Sequence, residues 1–168
     1  MKIVQTFWSG NRSVNDYLQN KAGWLSPEYH WMAWALSVLQ LKKFYPAVEL
    51  VTDELGKYIL IDLLQLPYTS VRTDLETALR PYPHDLWAMA KIYAYSIQEA
   101  PFLHVDGDVF IWKLFDDHLL EADLVAQNLE VVFSIYQDTF KAYHRQLDRK
   151  STRLNSSHRN TSRMPSSA

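Results

Sequence analysis

Short apolar runs alternate with helical segments over the first hundred residues, and this alternation narrows the fold more than any other feature. KIVQTFW (2–8), AVELVT (47–52), YTSVRT (68–73) and FLHVD (102–106) each read as a strand rich in β-branched and aromatic residues. Between the first two, Ser26-Pro27 marks a helix start, because serine can cap free amides and proline suits the first helical position. Trp31, Trp34, Ala35, Val38 and Leu41 then recur at three- and four-residue steps, and Pro46 marks the exit. Asp53 is placed to cap a second helix over 54–65, with Leu55, Ile59 and Leu63 along one face. Residues 84–100 read as a third helix that ends at Pro101, and residues 9–25 read as a loop. Further on, VFIW (109–112) reads as a short fifth strand and 116–121 as a helical turn. Residues 123–130 read as another strand and 131–147 as a final helix.

Strand followed by helix, repeated, predicts an α/β fold. Right-handed crossovers then give a mostly parallel central sheet with helices on both faces. Ligands of such sheets bind beyond the carboxyl ends of the strands. Three polar features fall there: residues 6–11, Thr52-Asp53, and Asp106-Gly107-Asp108. They are expected to converge on one crevice.

The composition changes abruptly after Leu147. Residues 148–168 contain six serines and no Trp, Tyr or Phe. Residues 148–158 and 162–168 match, residue by residue, a translated short-read sequencing adapter, with index bases supplying 159–161. We therefore expect residues 1–147 to be an α/β domain truncated at its C-terminus, and 148–168 to be an artefactual, disordered tail. The tail holds five of the 17 Lys/Arg and one of the 19 Asp/Glu. Residues 1–147 thus carry 12 against 18, a formal charge of −6. That balance argues against a nucleic-acid partner. With 48% apolar residues the chain reads as globular, and it has no apolar run near the ~20 residues that span a bilayer. It has no cysteine, hence no disulfide or thiolate chemistry, and it lacks a secretory leader, which leads us to expect a cytoplasmic location.

Asp106-Gly107-Asp108 sets two carboxylates between two apolar runs. Asp-Gly flanked by apolar residues is a hairpin signal, which accounts for Gly107 but gives Asp108 no reason to be acidic. Two acids on one turn can also share a divalent cation, and glycine lets the backbone approach a bulky ligand. Mg²⁺ and Mn²⁺ prefer such oxygen ligands and add phosphate and water. An EF-hand would need polar residues where Phe110 and Ile111 stand, and no phosphate-binding glycine loop is present.

The order of elements and the run HVDGDVFIW resemble glycosyltransferases of GT-A type. MKIVQTFW, GWLSPEYHWMAWALSVLQL, LVTDELG and PFLHVDGDVFIW together resemble a group of bacterial glycosyltransferase-like proteins, over nearly all of 1–147. The resemblance implies a Rossmann-like nucleotide-sugar half. It implies Asp106 and Asp108 as ligands of Mn²⁺ or Mg²⁺, and Lys91 as a donor-binding residue on the helix before them. It places the nucleobase by the first-strand loop, where Trp8 could stack beside Thr6, with Asp53 near the ribose and Gly107 beside the donor. The implied activity is transfer of a sugar from a nucleotide-sugar to a glycan or other hydroxyl acceptor, in cell-surface glycan synthesis for instance. No catalytic base is assigned; its expected place is beyond Leu147. Where relatives often carry Asp, Arg and Gly-Gly, this chain has Tyr93, Ser96 and Glu99-Ala100-Pro101. A non-catalytic nucleotide- or sugar-binding protein on the same fold, and a partner-binding domain with a structural Asp-Gly turn, are the competing readings.

Overall fold

In the computed structural model, residues 1–126 are described, together with Gln137, Lys141 and His144. β1 (Lys2–Thr6), β2 (Val48–Val51), β3 (Ser70–Arg72) and β4 (Phe102–His104) form one all-parallel sheet in the order β3-β2-β1-β4. Ile3 stands beside Val48 on one side and Leu103 on the other, so β1 lies between two strands. The expected α/β architecture is present. Beyond β2 and β3 the chain returns to the opposite side of β1, which makes the carboxyl ends of β1 and β4 the switch point of the sheet.

Successive β1 residues enter different cores, as a strand of period two requires. Ile3 joins Trp34, Val38 and Leu41 of α2 (Pro27–Phe44), with Leu60 beside them. Val4 joins Leu75 of α4 (Leu75–Ala78) and Ala90 and Ala94 of α5 (Ala88–Ser96). Helices thus cover both faces. α2 runs from proline to the residue before Tyr45, as its punctuation predicts. Ser26 occupies the cap position but caps no amide; its hydroxyl bonds Glu28 instead.

Asp53 does cap, accepting from the Gly56 amide at 2.8 Å. The helix it starts, α3 (Glu54–Lys57), continues as a wider π-helical stretch over Tyr58–Leu63. Within the expected 9–25 loop a short helix forms, α1 (Val14–Leu18), capped by Ser13. The expected 84–100 helix is broken: a 3-10 turn, His84–Leu86, precedes α5, as the tight geometry after Pro83 favours. No fifth strand forms at 109–112, because no neighbouring strand is there to pair with it. The helical turn appears as α6 (Asp117–Leu120).

Met1–Ala122 forms one compact unit and Asp123–Ala168 a second. In the second, residues 123–126 carry no strand, against expectation, and Gln137, Lys141 and His144 are helical. The remainder of the expected strand and final helix, and the 148–168 tail, lie outside the described residues. No helix among the described residues is long and apolar enough to cross a membrane.

Candidate functional site

The Asp-Gly-Asp turn leaves β4 at the switch point, and buried polar groups fix its position. The Val109 amide bonds the Asp106 carbonyl at 3.1 Å, closing a four-residue turn. Ser37 of α2 donates to the Val109 carbonyl at 2.7 Å and accepts from Gln5 Nε2 at 3.0 Å. Gln5 Nε2 also reaches the Asp106 carbonyl at 3.3 Å, and the Tyr68 hydroxyl donates to Gln5 Oε1 at 2.8 Å. Gln5 and Ser37 are fully buried, so these bonds are shielded from water, and burial pushes the Tyr68 phenol far above its usual range. The turn is therefore held by β1 and α2 and not by a hairpin partner. Gly107 serves a close approach, but to Trp34: a Cβ there would stand 2.4 Å from the indole.

At the turn, the charge of Asp106 is already matched. Lys91 of α5 holds both oxygens of Asp106, at 2.7 and 2.8 Å. His104 Nδ1 lies 3.6 Å from Asp106, and its Nε2 shares a hydrogen with Thr6 Oγ1 at 3.1 Å. Burial pushes the His104 imidazole down to about 4; Asp106 pulls the other way and Lys91 reinforces the fall. His30 on α2 is also held low by burial, with Asp108 opposing.

The His104 shift gives a signed expectation. Its folded pKa lies below the 6.5 of a free imidazole, so the unfolded chain binds the proton first. The stabilising contribution is full above pH 6.5 and fades as pH falls toward about 4. Urea midpoints measured across that window should fall with pH more steeply in the wild type than in His104→Gln. Equal slopes would remove His104 from the account.

A crevice of about 320 Å³ opens over the turn, lined by Thr6, His30, Trp34, Lys91, Asp106 and Asp108, with Trp24 and Trp87 at its walls. A second lobe of about 150 Å³ shares Thr6, His30, Trp34, Trp87 and Lys91 and adds Trp8 and Tyr17. Trp87 lies on Lys91, whose ammonium sits 5.2 Å from the ring. Trp8 Nε1 and His30 Nε2 are buried without a hydrogen-bond partner.

Six of the seven residues expected at the site thus line this crevice: Thr6, Trp8, Lys91, Asp106, Gly107 and Asp108. Asp53 does not. It is 2% exposed and accepts from Ser9 N at 2.8 Å, Ser9 Oγ at 2.5 Å and Gly56 N at 2.8 Å. Its carboxylate ties the loop after β1 to the start of α3. His84 and Asp85, at the start of the 3-10 turn, contact each other, with Nε2 2.8 Å from Oδ1. The sequence reading missed His30 and Trp87 and placed Trp34 in the apolar stripe of α2. Trp34 does both, as core residue and crevice floor. A histidine one turn before a tryptophan on a buried helix face carries no distinguishing signal.

Asp106 and Asp108 both line the crevice, and among the described residues no group of three or more His, Cys, Asp or Glu surrounds one point. Mg²⁺ and Mn²⁺ complete such a shell with phosphate oxygens and water. A cation bound by these two acids would therefore need phosphate oxygens or water from outside the protein to complete its shell. Lys91 would have to yield part of Asp106 to it.

No curated protein and no solved structure matches the chain. One family model does, over residues 1–168, and it carries no activity with it. The chain belongs to that family, DUF6734, a family of unknown function.

Proposed function

We propose that the chain is a GT-A-like, metal-dependent glycosyltransferase domain that binds a nucleotide-sugar in the switch-point crevice and transfers its sugar to a hydroxyl acceptor. The observation that carries this reading is the gathering of Asp106, Asp108 and Lys91 at the mouth of one cavity, at the sheet edge where α/β proteins bind nucleotides. Asp106 and Asp108 would hold Mn²⁺ or Mg²⁺, which supplies Lewis-acid charge against the leaving diphosphate. Lys91 supplies a second positive charge beside the same phosphates. Trp87 and Trp34 offer flat apolar walls, and Trp8 and His30 bring unpartnered ring nitrogens. Asp53, locked into the fold by three donors, is left out of donor binding.

Calorimetry with UDP, GDP and CMP, with and without Mn²⁺, tests the reading. One nucleotide should bind in a Mn²⁺-dependent manner, and Asp106→Asn should weaken that binding by roughly tenfold or more. A folded protein that binds no nucleotide under either condition would leave the turn purely structural. The Lys91 pair, which balances Asp106 without a metal, favours a second reading: a nucleotide- or sugar-binding protein without turnover. It predicts binding that is indifferent to Mn²⁺ and no sugar transfer.

A further inference from the structure

α2 carries two apolar faces. Trp34, Val38 and Leu41 pack on the sheet. The side turned to solvent should be polar, yet the exposed residues of α2 are Glu28, Tyr29, Met32, Leu36, Leu39 and Lys43. Tyr29 is 49% exposed, Met32 62%, Leu36 38% and Leu39 49%. Their steps of three, four and three are the spacing of a coiled-coil seam, positions a, d, a and d of successive heptads. One acid closes the seam at its N-terminal end and one base at its C-terminal end. A helix apolar on both faces is normally buried on both.

We propose that this seam pairs α2 with α2 of a second copy of the chain, antiparallel about a two-fold axis at the level of Trp34. The spacing is self-complementary in that arrangement. Tyr29 meets the partner's Leu39, and Met32 meets the partner's Leu36. Charge selects the direction. Antiparallel pairing brings Glu28 within three residues of the level of the partner's Lys43, about 4.5 Å along the axis, which two long side chains can span. Parallel pairing would set Glu28 against the partner's Glu28, and Lys43 against the partner's Lys43. Antiparallel packing also sets each positive helix N-terminus beside a negative C-terminus. The contact is one helix wide, at the small end of specific interfaces, so a reversible dimer is expected.

Sedimentation equilibrium of the full chain, from about 1 to about 200 µM, should show a monomer–dimer equilibrium within that range. Leu36→Glu puts like charges into the seam and should raise the dissociation constant by at least about tenfold, with little change in melting at concentrations where both proteins are monomeric, because Leu36 is exposed in the single chain. Glu28→Lys alone should weaken the dimer, and Glu28→Lys combined with Lys43→Glu should restore it. The restoration is specific to antiparallel self-pairing. A monomer at every concentration would overturn the proposal. So would a dimer indifferent to Leu36→Glu, or a double exchange no tighter than Glu28→Lys alone.

Discussion

Asp53→Ala is expected to cost about 3 kcal/mol and to lower the melting temperature by roughly 6–12 °C. The carboxylate is buried and accepts three hydrogen bonds, from Ser9 N, Ser9 Oγ and Gly56 N. Loss of the helix cap alone costs about 1 kcal/mol. The larger share comes from the Ser9 amide and hydroxyl, left without a partner where water does not reach. Asp53→Asn keeps one acceptor oxygen and should lose about half as much. Thermal melts of the two variants beside the wild type decide the matter. A shift smaller than about 2 °C for Asp53→Ala would mean that the loop after β1 finds other partners.

Gly107→Ala should cost about 1–3 kcal/mol and, on the proposed function, abolish nucleotide binding at the crevice. The added methyl would lie 2.4–2.6 Å from three atoms of the Trp34 indole. On its core side that ring has little room to retreat: it is 7% exposed and meets Phe7 edge-on, with centroids 5.3 Å apart. The turn must lift instead, and the Ser37 and Gln5 bonds to its carbonyls stretch with it. Asp106 and Asp108 then leave their places together. A double-mutant cycle isolates the clash. Trp34→Phe removes ring atoms, so the Gly107→Ala/Trp34→Phe pair should be less destabilised than the sum of its parts. Additive losses would place the strain elsewhere.

Much of the sheet was legible because local signals and tertiary packing agreed. Pro27 and Pro46 bracket α2, Asp53 caps α3, and the four apolar runs became the four parallel strands. The misreading at 109–112 is instructive. Ile111 is buried and Val109 packs against the same core, so the run is apolar because it is covered and not because it is paired. Strand propensity reports a fit to a half-buried surface, and a neighbouring strand is a separate requirement. Of the residues lining the crevice, the two acids were singled out by their position after the fourth strand, and Lys91 by the family resemblance. The anchors could not. Gln5 and Ser37 look like ordinary polar residues in apolar segments, and their role exists only once β1, α2 and the turn are brought together. Asp53 was open to two readings, helix cap and donor contact; the cap is present, and both of its oxygens are engaged within the fold, by Ser9 and Gly56.

The central place of β1 has a consequence for how the chain assembles. This strand is made first, yet it needs both β2, some 45 residues later, and β4, about 100 residues later. Near contacts close at lower entropic cost than distant ones. The half-sheet β3-β2-β1 with α2 can therefore gather early, leaving one edge of β1 open until residue 102 arrives. Gln5 and Ser37 wait there for the carbonyls that they hold in the finished protein. On this ordering the crevice is expected to be the last part of the sheet edge to form, so protection of the Val105 amide, which bonds the Val4 carbonyl, should develop after that of the β1–β2 amides.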